Sequence, residues 1–298
     1  LSNPDFSAVN FKILRQPIYG MRSADSEWGE KYVEIRNKHE IIREDTGESM
    51  GVVGEKYFTT DYATYSENIV EAFQESKNDV NTDNATCDFQ VYEGGRKMKA
   101  IVKLPGHKLE PVVGDISQCQ FKAFDSLDMT WARAFYYYLF RYWCSNGCDT
   151  VDFKIRFYQK HTKQMSSDES IAKLQKRIIS SIKSFHENEA LFKSWVNTPI
   201  EFDDAMGIFK DTLAAYRDAQ GKIRHSEKLL DNMRFILSDN FNHLGHNGWA
   251  AYNAATEWAT HLEDKIRGKS HNVERNRSAE VAKMLASPAW NTHFSTGD

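Results

Sequence analysis

The sequence predicts an α+β chain in which a strand-rich N-terminal half, built of antiparallel hairpins, is followed by a helical C-terminal half. Three observations carry this reading. Short runs of alternating apolar and polar residues recur up to about residue 165. A Glu93-Gly94-Gly95 turn joins two such runs. From about Asp168 the apolar spacing changes from two to three and four. The expected division is a sheet-rich α+β region over 1–165 and a helical region over 166–298 packing on or beside it.

Taken in order, residues 31–59 read as a hairpin: KYVEIR alternates, TGES supplies a turn and GVVGEKYF follows. Thr60 or Ser66 is placed to cap a helix running towards Gln74, with Ile69, Val70 and Phe73 on one face. The polar stretch ESKNDVNTDNAT reads as a loop. In DFQVYEGGRKMKAIVKLPG, Phe89 and Val91 alternate before the turn, and Met98, Ala100, Val102 and Leu104 after it. Gly-Gly offers the positive φ angles that a tight hairpin requires. Residues 116–124 read as a strand. The aromatic run TWARAFYYYLFRYW suits a strand by enrichment and a helix by length; strand is preferred. CSNGCD then reads as a turn and VDFKIRFYQKH as a last strand.

Ile171, Leu174, Ile178, Ile182 and Phe185 form a helical stripe behind a Ser167–Ser170 cap. Helical patterns recur near 184–196, 202–219, 225–239, 247–267 and 274–286, with Pro199 and Gly221 in the breaks. Trp249, Tyr252, Ala255, Trp258 and Leu262 read as a packed helix face. No internal repeat or low-complexity segment interrupts the pattern.

Of 298 residues, 41% are apolar and 27% charged, the composition of a folded chain. No run of about 18 apolar residues exists, so no membrane-spanning helix is expected. The first residues carry no basic-then-apolar signal, and Cys87, Cys119, Cys144 and Cys148 are too sparse for a disulfide scaffold. A cytoplasmic protein with free thiols is expected. The net charge of −4 excludes a globally basic nucleic-acid coat, yet it conceals an asymmetry. Residues 1–86 hold 9 basic and 16 acidic side chains, whereas residues 151–186 hold 8 and 3.

No phosphate-cradling loop, dinucleotide fingerprint, nucleophile elbow or zincin motif is present, so no enzyme and no cofactor is expected. His243, His246, Glu257 and His261 have spacings that a metal would accept, but a bend into a helix accounts for them as well, and no metal is expected. Cys144 and Cys148 lack a neighbour to lower a thiol pKa and read as ordinary thiols.

The basic residues say more. Arg96, Lys97, Lys99, Lys103 and Lys108 lie in a stretch, 94–109, without a single acidic residue. Lys97, Lys99 and Lys103 share the strand face opposite the apolar row. A second set, Lys154, Arg156, Lys160 and Lys163, interleaves with Phe153, Phe157, Tyr158 and His161, and Lys154, Arg156 and Tyr158 share one face. Cations release counterions from phosphates, and an exposed Tyr stacks on any base. The competing account is a solvated strand face on which lysine guards a sheet edge. Two basic strands in one sheet-rich half favour binding. The aromatic run 131–143 is read as core, although it too has the chemistry to stack on bases.

Three spaced signatures add a resemblance. Arg141-Tyr-Trp-Cys144-Ser-Asn146-Gly147, then Lys160-His161-Thr162, then Gly248-Trp249-Ala-Ala-Tyr252-Asn253-Ala-Ala-Thr256-Glu257-Trp258 resemble, in order and spacing over roughly 50–290, the phage- and plasmid-borne proteins of domain-of-unknown-function family 932. The resemblance implies a mobile-element gene expressed in a bacterial host, without a settled activity. In outline the hairpin sheet with basic strands is similar to phage single-strand annealing proteins.

The resulting expectation is a non-enzymatic single-stranded DNA-binding or annealing protein of phage DNA replication or recombination, homo-oligomeric and in the host cytoplasm. Arg96, Lys97, Lys99, Lys103, Lys154, Arg156 and Lys160 would track phosphates and Tyr158 would stack. The alternatives are a phage structural or protein-interaction component without nucleic-acid binding and, below it, a metal-dependent enzyme using the 243–261 cluster.

Overall fold

A computed structural model describes residues 1, 4–22, 31–142, 148–159, 161, 167–260 and 270–294. Strands dominate the first half and helices the second, as the sequence predicts. The first sheet has three strands in the order β1 (Ile13–Arg22), β2 (Lys31–Arg43), β3 (Ser49–Gly54), with antiparallel pairing throughout. Five strands make the second: β4 (Thr86–Tyr92), β5 (Lys97–Leu109), β6 (Ser117–Ser126), β7 (Arg133–Arg141) and β8 (Cys148–Gln159), side by side in chain order. The chain divides into two compact units. One comprises residues 1–106, 120–137 and 155–181; the other comprises 107–119, 138–154 and 182–298.

The 86–109 hairpin forms as its sequence dictates. Glu93, Gly94 and Gly95 all adopt positive φ, of 54°, 71° and 102°. Only glycine does this without strain, and a Cβ on Gly95 would stand 3.0 Å from the Phe11 ring. Tyr92 then faces Lys97 and Phe89 faces Ala100. That register buries Met98, Ala100, Val102 and Leu104. Helix α1 (Tyr62–Glu75) covers this row. Phe73 meets Phe121 and Phe135 edge-on at 5.2 and 6.2 Å, and Ser66 Oγ reaches Met98 Sδ at 3.6 Å.

The cap expected at Thr60 or Ser66 is not there. Asp61 precedes the helix without a side-chain cap bond, Ser66 is buried inside it, and Thr60 Oγ1 instead accepts from Arg133 at 2.6 Å. The aromatic run is the strand β7, with Arg133, Phe135, Tyr137, Leu139 and Arg141 buried.

In the helical half, α2 (Ser167–Asn197) is a single 31-residue helix where the apolar spacing suggests two, because no Gly or Pro interrupts it. Helix α3 (Phe202–Thr212) stops short of the expected 219. Asp218 Oδ1 accepts from the amides of Gln220 and Lys222, and Gly221 turns at φ 78°. The chain therefore reverses, and β9 (Ala215–Arg217) pairs with β10 (Ile223–His225). Ser226 caps α4 (Glu227–Leu244) through the Leu229 amide. Helices α5 (Gly248–Thr260) and α6 (Ser270–Leu285) follow, and then α7 (Pro288–Phe294), which the periodicity does not predict. The aromatic core of the second unit joins Phe192, Trp195, Trp249, Tyr252 and Trp290 at ring distances of 5.0 to 5.8 Å.

Each unit also buries a charge cluster. In the first, Arg133 donates through Nε and Nη2 to Asp125 Oδ2, at 2.9 and 2.7 Å, while His161 Nε2 lies 2.9 Å from Oδ1. Burial works to raise the Asp125 carboxyl, but Arg133 and then His161 outweigh it and hold it below the ordinary carboxylate range. In the second, Asp115 takes the Arg141 guanidinium on one oxygen and Trp249 Nε1, at 2.6 Å, on the other.

Two outcomes are expected. A Cβ on Gly248 would sit 2.5 Å from the Phe294 ring, whereas nothing lies within 4 Å of one on Gly207 in α3. Urea unfolding should show Gly248→Ala losing about 1–3 kcal/mol and Gly207→Ala gaining up to about 1 kcal/mol. Because the folded Asp125 carboxyl is depressed, its contribution is complete above its unfolded pKa of about 3.9 and is lost as pH falls below it. The wild type should therefore lose more stability between pH 6 and pH 3 than Asp125→Asn, which starts lower; equal pH slopes would show that Asp125 plays no such part.

Candidate nucleic-acid interface

Pleating of β5 sends Lys97, Lys99 and Lys103 to the face opposite its buried row, across from Tyr92, Gln90 and Thr86 of β4. Lys103 is exposed, and Lys97 and Lys99 are half-buried. The same face continues across the sheet as aromatic surface. Lys97 Nζ stands 5.4 Å from the centre of the Trp131 ring. Trp131 meets Phe124 of β6 edge-on at 5.6 Å, and Phe124 stacks on Tyr136 of β7 at 5.7 Å and 23°. Phe124 and Tyr136 are half-buried, Trp131 buried. One sheet face thus carries cations on one strand and flat rings on the next two.

Not every predicted cation stands on that face. Arg96 reaches back to the β2–β3 turn, donating to the Ser49 carbonyl at 3.1 Å and lying 3.8 Å from Glu48. Lys97 binds Glu93 at 2.6 Å across the tight turn. Lys108 is exposed, in the other unit. Lys154, Arg156 and Tyr158 belong to β8 by backbone, while their side chains, together with Lys160 and Lys163, lie outside the described residues. Since β6 and β7 separate β5 from β8, the two basic strands are three inter-strand steps apart, roughly 14 Å.

The remaining candidates hold no reactive centre among the described residues. Burial, reinforced by Asp88, pushes the Cys87 thiol up to about 12, and burial raises Cys119 as well, so neither supplies a thiolate at neutral pH. Cys144 and the side chain of Cys148 lie outside the described residues. His243 Nδ1 meets the Asp239 carbonyl at 2.8 Å, His246 packs on Phe241 at 4.4 Å, and Glu257 accepts from Asn240 at 2.9 Å. His261 is outside the described residues, among which no three metal-ligating side chains gather.

Sequence reasoning passes over Phe124 and the buried acids Asp115 and Asp125. The available signal is the placement of Arg133 and Arg141 in register with Phe135, Tyr137 and Leu139: a cation on an apolar face needs a buried partner. The spaced signatures fall on those partners. Arg141, His161 and Trp249, one from each, all sit in the two charge clusters.

No curated protein and no solved structure shows a match to this chain. A family model described as a domain of unknown function, DUF932, matches residues 49–280. It spans well over half of the chain and takes in all three signatures, from Arg141 to Trp258. The protein therefore belongs to the DUF932 family.

Proposed function

We propose that this chain is a non-enzymatic single-stranded DNA-binding protein of the annealing kind, homo-oligomeric, serving phage DNA replication or recombination in the host cytoplasm. The observation that supports it is the continuity of Lys97, Trp131, Phe124 and Tyr136 on one sheet face, with Lys99 and Lys103 beside them. Single strands are held by cations that track phosphates and by rings on which bases stack without regard to sequence. A pleated sheet supplies both at fixed spacing, because alternate residues of neighbouring strands share a face. Duplex DNA keeps its bases stacked inside and gains only the cationic part, so single strands bind in preference.

A protein-interaction component without nucleic-acid binding is the second reading. The Lys97–Glu93 pair favours it, since a cation already neutralised has less to gain from a phosphate.

Fluorescence anisotropy with a labelled oligo-dT, across a salt series and with a duplex control, separates the two. The expected result is binding whose logarithm falls linearly with log salt. Lys99→Glu with Lys103→Glu should weaken it at least tenfold, and the slope should become shallower by about 0.7 for every phosphate no longer neutralised. Tyr136→Ala should weaken binding while Tyr136→Phe retains it. Absence of binding at about 50 mM salt would overturn the proposal.

A further inference from the structure

The β1–β2 pair extends beyond its sheet. Strand β3 pairs with β2 only from Lys38 to Ile42. Past that point Tyr19–Arg22 and Lys31–Glu34 form a two-stranded ribbon with no other strand along either edge among the described residues. The register jumps between Pro17 and Tyr19, and Asn37 adopts φ 61°, so a bulge sets off this distal segment from the paired base. The base is anchored beside the turn that opens β5: Arg43 donates to the Gly94 carbonyl at 3.2 Å. The family match begins at residue 49, so the ribbon lies outside it.

An isolated ribbon buries little, and its apolar side chains show it. Tyr19, Met21 and Tyr32, which share one face, are 56%, 67% and 72% exposed. Cations accompany them. The two strands carry six Lys and Arg against two Glu. Lys31, Arg36 and Lys38 are exposed and form no ion pair among the described residues. The connecting residues 23–30 add three acids in the sequence, so the ribbon's attraction for an anion comes from where its cations sit and not from its net charge.

We infer that the β1–β2 ribbon is a second single-strand contact, an arm on which Tyr19 and Tyr32 stack against bases while Lys31, with Arg36 and Lys38 at the ribbon's base, meets phosphates. The inference rests on the reading proposed above and adds a site to it. Flat, amphipathic rings on an open ribbon suit bases of any identity. A polyanion also fits this edge better than a second copy does. Two copies paired along the open part of β2, ahead of Lys38, would bring Lys31 and Arg36 of each close to those of the other, and like charges across strands are destabilising.

The test compares two ribbon variants with wild type and with the Lys99→Glu, Lys103→Glu sheet variant, using labelled oligo-dT over a salt series and sedimentation without DNA. All substituted side chains are exposed or half-buried, and thermal unfolding verifies that folding is kept. Lys31→Glu, Arg36→Glu, Lys38→Glu should reduce the salt slope by about 2 and weaken binding at least tenfold. Tyr19→Ser, Tyr32→Ser should weaken binding with the slope unchanged. If wild type binds, the sheet variant binds worse and both ribbon variants bind normally, the ribbon inference fails and the sheet reading stands. If only the ribbon variants lose affinity, the ribbon stands and the sheet reading fails. A wild type that binds nothing overturns both. A Tyr19, Tyr32 variant that changes sedimentation but not affinity overturns the inference in favour of self-association.

Discussion

Two buried carboxylates flanking one hairpin govern how this sheet can form. Asp125, near the end of β6, takes Arg133, the first residue of β7; Asp115, just ahead of β6, takes Arg141, the last. Such pairs contribute little net stability, because desolvating both charges offsets most of their attraction. Their effect is on the alternatives. A one-residue slip of β7 would send both arginines to the other face and leave both acids buried and unpaired, each uncompensated charge costing about 3–5 kcal/mol. The register is thereby fixed at both ends of the strand. The same register puts Tyr136 and Phe124 on the face that carries the β5 lysines, so the candidate interface is a consequence of ion pairs that never touch it.

His161 extends the first cluster to the segment that follows β3. Its ring lies against Tyr57 at 4.7 Å, its Nδ1 is 3.1 Å from the Phe58 carbonyl, and its own carbonyl accepts the Phe58 amide at 2.7 Å. Tyr57 in turn donates to the Ser126 carbonyl. The two ring nitrogens of His161 lie beside a backbone carbonyl on one side and the Asp125 carboxylate on the other. The signature residues Arg141, His161 and Trp249 are thus engaged in buried internal contacts, with the Asp115 and Asp125 carboxylates and the Phe58 backbone. This is why a family signature can be specific for a fold while leaving its chemistry open.

Much of the fold is legible because it follows from alternation. The buried row on β5 and the buried stripe of α5 come from spacing, the 86–109 hairpin from spacing and its Gly-Gly turn, and the strand nature of the aromatic run from its aromatic enrichment. What spacing does not convey is where a pattern ends. Helix α3 gives way to β9 because Asp218 and Gly221 make a turn, a local hydrogen-bond matter that a weak helical periodicity conceals. The candidate face is half visible. The lysines of β5 announce themselves, but an aromatic strand with both faces partly covered reads as core, so Phe124 and Tyr136 do not stand out from Phe121 and Phe135. Nor does composition show that Arg96 is engaged by the β2–β3 turn while Lys103 is exposed.

Charge counted along a chain and charge placed on a surface are different quantities, and here they diverge most in the first 86 residues. That segment is the most acidic of the protein, yet strands β1 and β2 within it are basic, because the carboxylates concentrate in the connections, at 25–30 and 44–48, and in and around α1. At an ionic strength of 0.15 M charges beyond about 8 Å are screened, so a phosphate near Lys31 or Lys38 responds to those cations more than to the segment's total. The same reasoning ranks the β5 lysines. Lys97 must exchange the Glu93 carboxylate, 2.6 Å away, for a phosphate, and that exchange releases less counterion than a phosphate pairing made by exposed Lys103. Affinity on the sheet face should accordingly rest more on Lys103, in the middle of β5, than on Lys97 at its turn end, with Lys97 serving more to seat the Trp131 ring than to neutralise DNA.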